Sequence, residues 1–125
     1  MKDSIFLECH LVDITQVFHN LIYNAVDAMK DIEKRWIEIS LEDDKEHAVL
    51  AVTDAGRGIA EDIKDKIFEP RYTTKKRGEG TGLGLYMAKR LLASHGGSIS
   101  LDSENEHTRF LVKVKKAKNM ERKVS

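Results

Sequence analysis

The chain has 125 residues, room for one compact domain and too little for two. Apolar residues make up 41%, enough for a core, and 21 basic residues balance 21 acidic ones. That neutrality argues against a general nucleic-acid binder, which would be basic, and no apolar run is long enough to span a bilayer. The opening "MKDSIFLECH" lacks the design of a signal peptide, because its apolar part is short and carries a glutamate. The single cysteine, Cys9, excludes an internal disulfide and a multi-cysteine zinc site, and it fits a reducing, cytoplasmic setting.

In chain order, "SIFLEC" reads as a short strand. From Leu11 to about Met29, apolar residues recur at helical spacing: Leu11, Ile14, Phe18, Leu21, Ala25 and Ala28, with Val17, Ile22, Val26 and Met29 beside them. This predicts a long, buried helix. Trp36 to Leu41 alternates like a strand, "EDDKE" reads as a turn, and "HAVLAVTD" reads as a second, more buried strand of the same hairpin. "EDIKDKIF" reads as a short helix with acidic residues at its start. A polar loop, "EPRYTTKKRGEG", follows, long enough to imply a functional lid. Thr81 to about His95 reads as a helix ended by Gly96 and Gly97. "SISLDS" and "TRFLVKV" form a last hairpin, and the charged tail after about residue 115 should fray. Hairpins dominate, so the expected class is α+β, with a mostly antiparallel sheet covered on one face by helices.

Four constellations point to chemistry. Asp13, Gln16, Asn20, Asn24 and Asp27 fall at steps of three or four and share one helix face. A solvated face is the ordinary explanation, but asparagine is a poor helix former, and a merely wet face would hold Lys, Glu and Arg. Two asparagines among apolar neighbours suit oxygen ligation of Mg²⁺, which keeps several waters and needs few protein oxygens. In "TDAGRGI" a buried strand ends in Asp54, then Gly56 and Gly58 follow. An ordinary turn is the bland alternative, yet a helix rather than a returning strand comes next. A buried carboxylate needs a donor partner, and an adenine amino group is one. The loop gathers Arg71, Lys75, Lys76 and Arg77, with Phe68 and Tyr72 as packing anchors. Any one of these cations alone reads as solvated; the loop's place between two glycine segments raises the case for a phosphate contact. Last, "GEGTGLGL" places Gly78, Gly80, Gly82 and Gly84 directly before a helix. It is neither a P-loop nor a dinucleotide fingerprint, but bare N–H groups at a helix N-terminus still favour an anion. Thr81 would cap the helix or donate its hydroxyl, and the same glycines would serve as lid hinges.

In this order the four segments closely resemble the catalytic, ATP-binding domain of sensor histidine kinases, of the wider superfamily that shares the Bergerat ATP-binding fold. "NLIYNAVDAM" is similar to the N box, "DAGRGI" to the first glycine box, "IFEPRYTTK" to the F box and "GEGTGLGL" to the second glycine box. The resemblance covers nearly the whole chain and implies a two-layer α/β sandwich, its mixed, mostly antiparallel sheet under three helices, as one domain over residues 1–125. It further implies ATP and Mg²⁺ as cofactors. By that resemblance Asn24 coordinates Mg²⁺, with Asn20 nearby; Asp54 accepts from the adenine amino group; Gly56, Gly58 and Ile59 line the base. Gly80, Thr81, Gly82, Leu83 and Gly84 would wrap the triphosphate, Lys75 would be the lid cation, and Thr108 would support the adenine pocket. Arg71 stands where the F box usually has an aromatic, and Asp27 where many relatives have lysine. Topoisomerase and mismatch-repair relatives have a water-activating glutamate one turn before the metal asparagine. Here that position is Asn20, which implies slow hydrolysis.

The resemblance also implies γ-phosphoryl transfer to a histidine on a separate dimerisation and histidine-phosphotransfer domain, with a response regulator downstream in two-component signalling. None of His10, His19, His47, His95 and His107 has the acceptor's surroundings, so the chain alone should bind ATP without autophosphorylating. His95 suits the last turn of its helix, and the others suit surface or capping roles. The isolated domain is expected to be monomeric, cytoplasmic, and free of nucleic-acid or direct membrane contact, although its parent protein could be membrane-anchored. Two competing readings are a stand-alone serine kinase of the anti-sigma-factor type and a non-enzymatic, nucleotide-dependent docking module.

Overall fold

The computed structural model describes residues 11–70 and 84–116. Helix α1 spans Leu11–Ala28, strand β1 Ile37–Asp43, strand β2 His47–Asp54, helix α2 Gly84–Ala93, strand β3 Ser98–Leu101 and strand β4 Arg109–Lys115. The strand expected at "SIFLEC", the lid loop from Arg71, the start of the second helix before Gly84 and the charged tail lie outside the described residues.

The sheet runs β1-β2-β4-β3, and its three pairings are all antiparallel. Directly opposed residues share a face. Register therefore gathers Val52, Phe110 and Leu101 into one row, and Leu50, Val112 and Ile99 into the next. Both helices pack on this face. Ile14, Val17 and Leu21 of α1 and Ala88 and Leu92 of α2 form one core with Val52, Ile99, Phe110, Val112 and Val114. Leu21, Leu92, Val17 and Val112 are its most enclosed large side chains, each contributing about 1.5–3 kcal/mol by burial.

Burial of α1 is narrower than its apolar content implies. Val12, Tyr23 and Val26 are exposed, because they lie off the stripe through Ile14, Val17, Leu21 and Ala25, flanked by half-buried Phe18 and Ile22, that faces the core. After the helix, the Arg35 side chain reaches back to the carbonyls of Lys30 and Ile32, at 2.7 and 2.8 Å.

The segment Glu61–Phe68 is a run of turns rather than a helix, so two α-helices cover the described sheet. Its bonds span three residues: Ile63 to Ala60, Lys66 to Ile63, Glu69 to Lys66. A segment this short does not sustain a helix on local preference alone, and packing holds only its end. Ile67 is buried, and Phe68 meets Phe110 edge-on at 6.1 Å, with the Lys89 ammonium 5.7 Å from its centroid.

The two glycines after α2 have separate tasks. Gly96 takes φ +73° and ends the helix, with Gly96 N–H bonded to Ala93 O and Gly97 N–H to Leu92 O. Gly97 is a packing glycine, since a Cβ there would run into the Lys113 carbonyl of β4. His95 lies just past α2 rather than in its last turn. Its Nε2 is 3.0 Å from Asp13 Oδ2, fastening the start of α1 to the end of α2.

Candidate nucleotide site

Strand β2 carries Asp54 to the sheet end, where it is only 4% exposed. Its N–H donates to the Thr108 carbonyl at 3.0 Å, tying the strand end to the residue before β4. Asp54 Oδ1 accepts the Gly56 N–H at 2.6 Å. Thr108, itself buried, accepts the Gly58 N–H on Oγ1 at 3.1 Å. Burial pushes the Asp54 carboxyl above the ordinary aspartate range, and the Gly56 N–H only partly opposes it. Among the described residues, no donor is bonded to the second carboxylate oxygen.

Glycine is favoured at position 56 by crowding. A Cβ there would lie 2.7 Å from Asp54 Oδ1 and 2.9 Å from Thr108 Oγ1. Gly58 takes φ +86°, a conformation that side chains disfavour. Ile59 is half-buried and packs on the core. The sheet register thus unites Asp54, Gly56, Gly58 and Thr108, which come from two distant parts of the chain.

A second cluster lies where α1 meets α2. Asn20 Nδ2 donates to the Gly84 carbonyl at 3.1 Å, and Asn20 Oδ1 accepts from Gln16 Nε2 at 3.1 Å. A Cβ at Gly84 would sit 3.9 Å from Asn24 Nδ2. The two helix amides therefore flank Gly84, the first described residue of α2. Met29 Sδ accepts the Ala55 N–H at 3.3 Å and joins the end of α1 to the glycine segment. At the helical rise, Asn24 lies about 7–8 Å along the axis from that contact.

The polar stripe of α1 therefore divides. Asn20 and Asn24 face Gly84, whereas Asp13 pairs with His95. Lys75, Gly80, Thr81, Gly82 and Leu83 lie outside the described residues. Sequence reasoning missed Met29 and His107. His107 Nδ1 is 3.0 Å from the Gly56 carbonyl oxygen, and the His107 ring meets Trp36 edge-on at 5.0 Å. Adjacency to Thr108 was the one available signal.

Comparison with known proteins agrees with this geometry. The family profile described as histidine kinase-, DNA gyrase B-, and HSP90-like ATPase matches residues 10–118. The C4-dicarboxylate transport sensor protein DctB of Rhizobium meliloti is 37% identical over 106 residues, which cover 85% of this chain and 17% of that protein. The chain thus spans about a sixth of that relative. The catalytic domain of histidine kinase ThkA is similar with a TM-score of 0.76 at 33% identity, covering 88% of this chain and 71% of that one. Full-length ShkA in complex with AMPPNP matches with a TM-score of 0.71 at 27% identity, covering 84% of this chain and 22% of that one. The chain belongs to the histidine kinase-, DNA gyrase B- and HSP90-like ATPase family, as a catalytic ATP-binding domain of the sensor histidine kinase type.

Proposed function

We propose that this domain binds Mg-ATP and donates the γ-phosphoryl group to a histidine on a separate dimerisation and phosphotransfer domain, from which a response regulator draws it. The observation that carries the reading is Asp54: a carboxylate kept buried against its own solvation, tied by one oxygen to a glycine where a Cβ would crowd that same oxygen. A donor of the adenine amino kind offsets that burial cost. That the similar ShkA is in complex with AMPPNP supports an adenine nucleotide as the ligand in this reading.

The residues present fit the metal as well. Asn24 stands beside Gly84, and its side-chain amide carries an oxygen, a donor type suited to a hard cation that retains water. When bound, Mg²⁺ would neutralise phosphate charge. Asn24 is the ligand in this reading. Asn20 is a bracket, since its amide already joins Gln16 to Gly84. Phosphoryl transfer rests mainly on positioning and charge stabilisation, which a domain without its own acceptor supplies. With an asparagine at position 20, no carboxylate stands there to activate water, which favours transfer over hydrolysis. In this reading the chain is one monomeric domain working in the cytoplasm.

Mixing the full chain with a purified dimerisation domain and γ-labelled ATP tests the reading. Label on histidine is expected; label on a partner serine, or tight binding without transfer, refutes it. Asn24→Ala should abolish the Mg²⁺-dependent part of ATP affinity in titration calorimetry, and unchanged affinity would refute the metal assignment.

A further inference from the structure

The turn between β3 and β4 delivers His107 beside Thr108 and against the Gly56 peptide. We infer that His107 is a positioning residue for the adenine pocket, its Nδ1–H holding the Gly56 carbonyl so that base affinity depends on that bond. The inference rests on reading Asp54 as the adenine acceptor.

A carbonyl oxygen carries no proton, so at 3.0 Å the imidazole nitrogen is the donor. The neutral ring then bears its proton on Nδ1. Nε2 is left 3.8 Å from Glu106 Oε1, beyond hydrogen-bond range. The peptides of the glycine segment are therefore held by three side chains. Asp54 takes the Gly56 N–H, Thr108 takes the Gly58 N–H, and His107 takes the Gly56 carbonyl. Two of these are neighbours in sequence, and both reach the segment because β4 pairs with β2.

The ring plane is set from the other side. Trp36 meets the imidazole at 84°, and it directly precedes β1, whose first residue Ile37 pairs with Asp54. The strand pairing that seats the carboxylate therefore also seats the aromatic wall behind the histidine. Removing the imidazole would free the Gly56 carbonyl and loosen the residue on whose other side the N–H meets Asp54. The phosphate end of the nucleotide would be untouched.

The test uses the full chain. A nitrogen–proton NMR correlation of the imidazoles at pH 8 reads the tautomer without any substitution. A proton on His107 Nδ1 is expected, and its absence overturns the inference. Binding of Mg-ATP and of inorganic tripolyphosphate is then titrated for the unchanged chain, His107→Ala and His107→Asn. The alanine variant should bind ATP about tenfold more weakly and tripolyphosphate equally well. Asparagine, whose Nδ2 sits near the position of Nδ1, should recover most of the ATP affinity. Equal ATP affinity in His107→Ala, an equal loss toward tripolyphosphate, or no recovery with asparagine overturns the inference alone. Failure of the unchanged chain to bind ATP overturns the nucleotide reading, and the inference with it.

Discussion

The two ends of β2 use the same local device. Before the strand, Asp44 Oδ1 accepts the N–H of Glu46 at 2.9 Å and of His47 at 2.6 Å. After it, Asp54 Oδ1 accepts the N–H of Gly56 at 2.6 Å. The two carboxyls shift in opposite directions. The backbone N–H groups of His47 and Glu46 hold exposed Asp44 below the ordinary range, whereas burial raises Asp54. A carboxylate whose task is to close a turn is better left in water. One held inside, where its charge is unfavourable, fits the ligand role proposed for it better than a purely structural one.

If burial separates the two aspartates, Asp54→Asn should split stability from binding. The asparagine oxygen can still accept the Gly56 N–H, and no charge remains to be buried. Its other position becomes an NH₂ group, a donor set against the adenine amino donor. ATP affinity should fall about 10- to 100-fold by calorimetry, while the Tm of the nucleotide-free chain does not fall. Retained affinity with a lowered Tm would reverse the assignment.

The residue two places after each aspartate offers the next contrast. At the far end it is Glu46, so that turn tolerates a side chain. At the site it is Gly56, where a Cβ crowds two oxygens at once. Gly56→Ala should lose about 1–3 kcal/mol in urea unfolding, and Glu46→Ala should be close to neutral. Equal effects would remove the steric argument for the site.

Titration sharpens the difference further. Asp54 is raised in the folded state, so the folded chain holds its proton more tightly than the unfolded one. Stability from this group is fully present below about pH 4 and is lost as pH rises through the raised value. Asp44 is lowered, so its contribution is present above about pH 4 and is lost as pH falls through the lowered value. The Tm of Asp54→Asn relative to the unchanged chain should therefore climb with rising pH. The deficit of Asp44→Asn should shrink with falling pH. Parallel profiles for the two variants would show that burial does not distinguish the sites.

Much of this was legible from residues alone. "HAVLAVTD" bounds β2 as His47–Asp54, because its apolar run ends at a charged residue and two spaced glycines. The helix through the two asparagines and the closing hairpin are equally plain. What stayed hidden depends on contacts between distant segments. Asp13 leaves the polar stripe because α2 brings His95 to it. His107 reads as an ordinary surface histidine until β4 pairs with β2 and sets it against Gly56. The turns at Glu61–Phe68 defeat periodicity because so few of their residues are held by the core. Val12, Tyr23 and Val26 are apolar by composition but lie off the covered stripe, and spacing alone does not say how wide that stripe is.

The smallest expected effect is at the far end of β2. Asp44→Ala removes an acceptor from two N–H groups, but water reaches both, and the turn has a second fastening. Lys116 Nζ contacts Asp43 Oδ2 at 2.5 Å and the Asp44 carbonyl at 3.0 Å, and its own N–H donates to Glu46 O at 2.8 Å. With that clasp intact, the hairpin should open only locally. Amide exchange should quicken at Glu46 and His47, while exchange at Val52 and Val112 in the core and the affinity for ATP stay unchanged. Were Asp44→Ala to weaken ATP binding, the two ends of β2 would be coupled through the strand, and burial would no longer separate the aspartate that closes a turn from the one that receives a ligand.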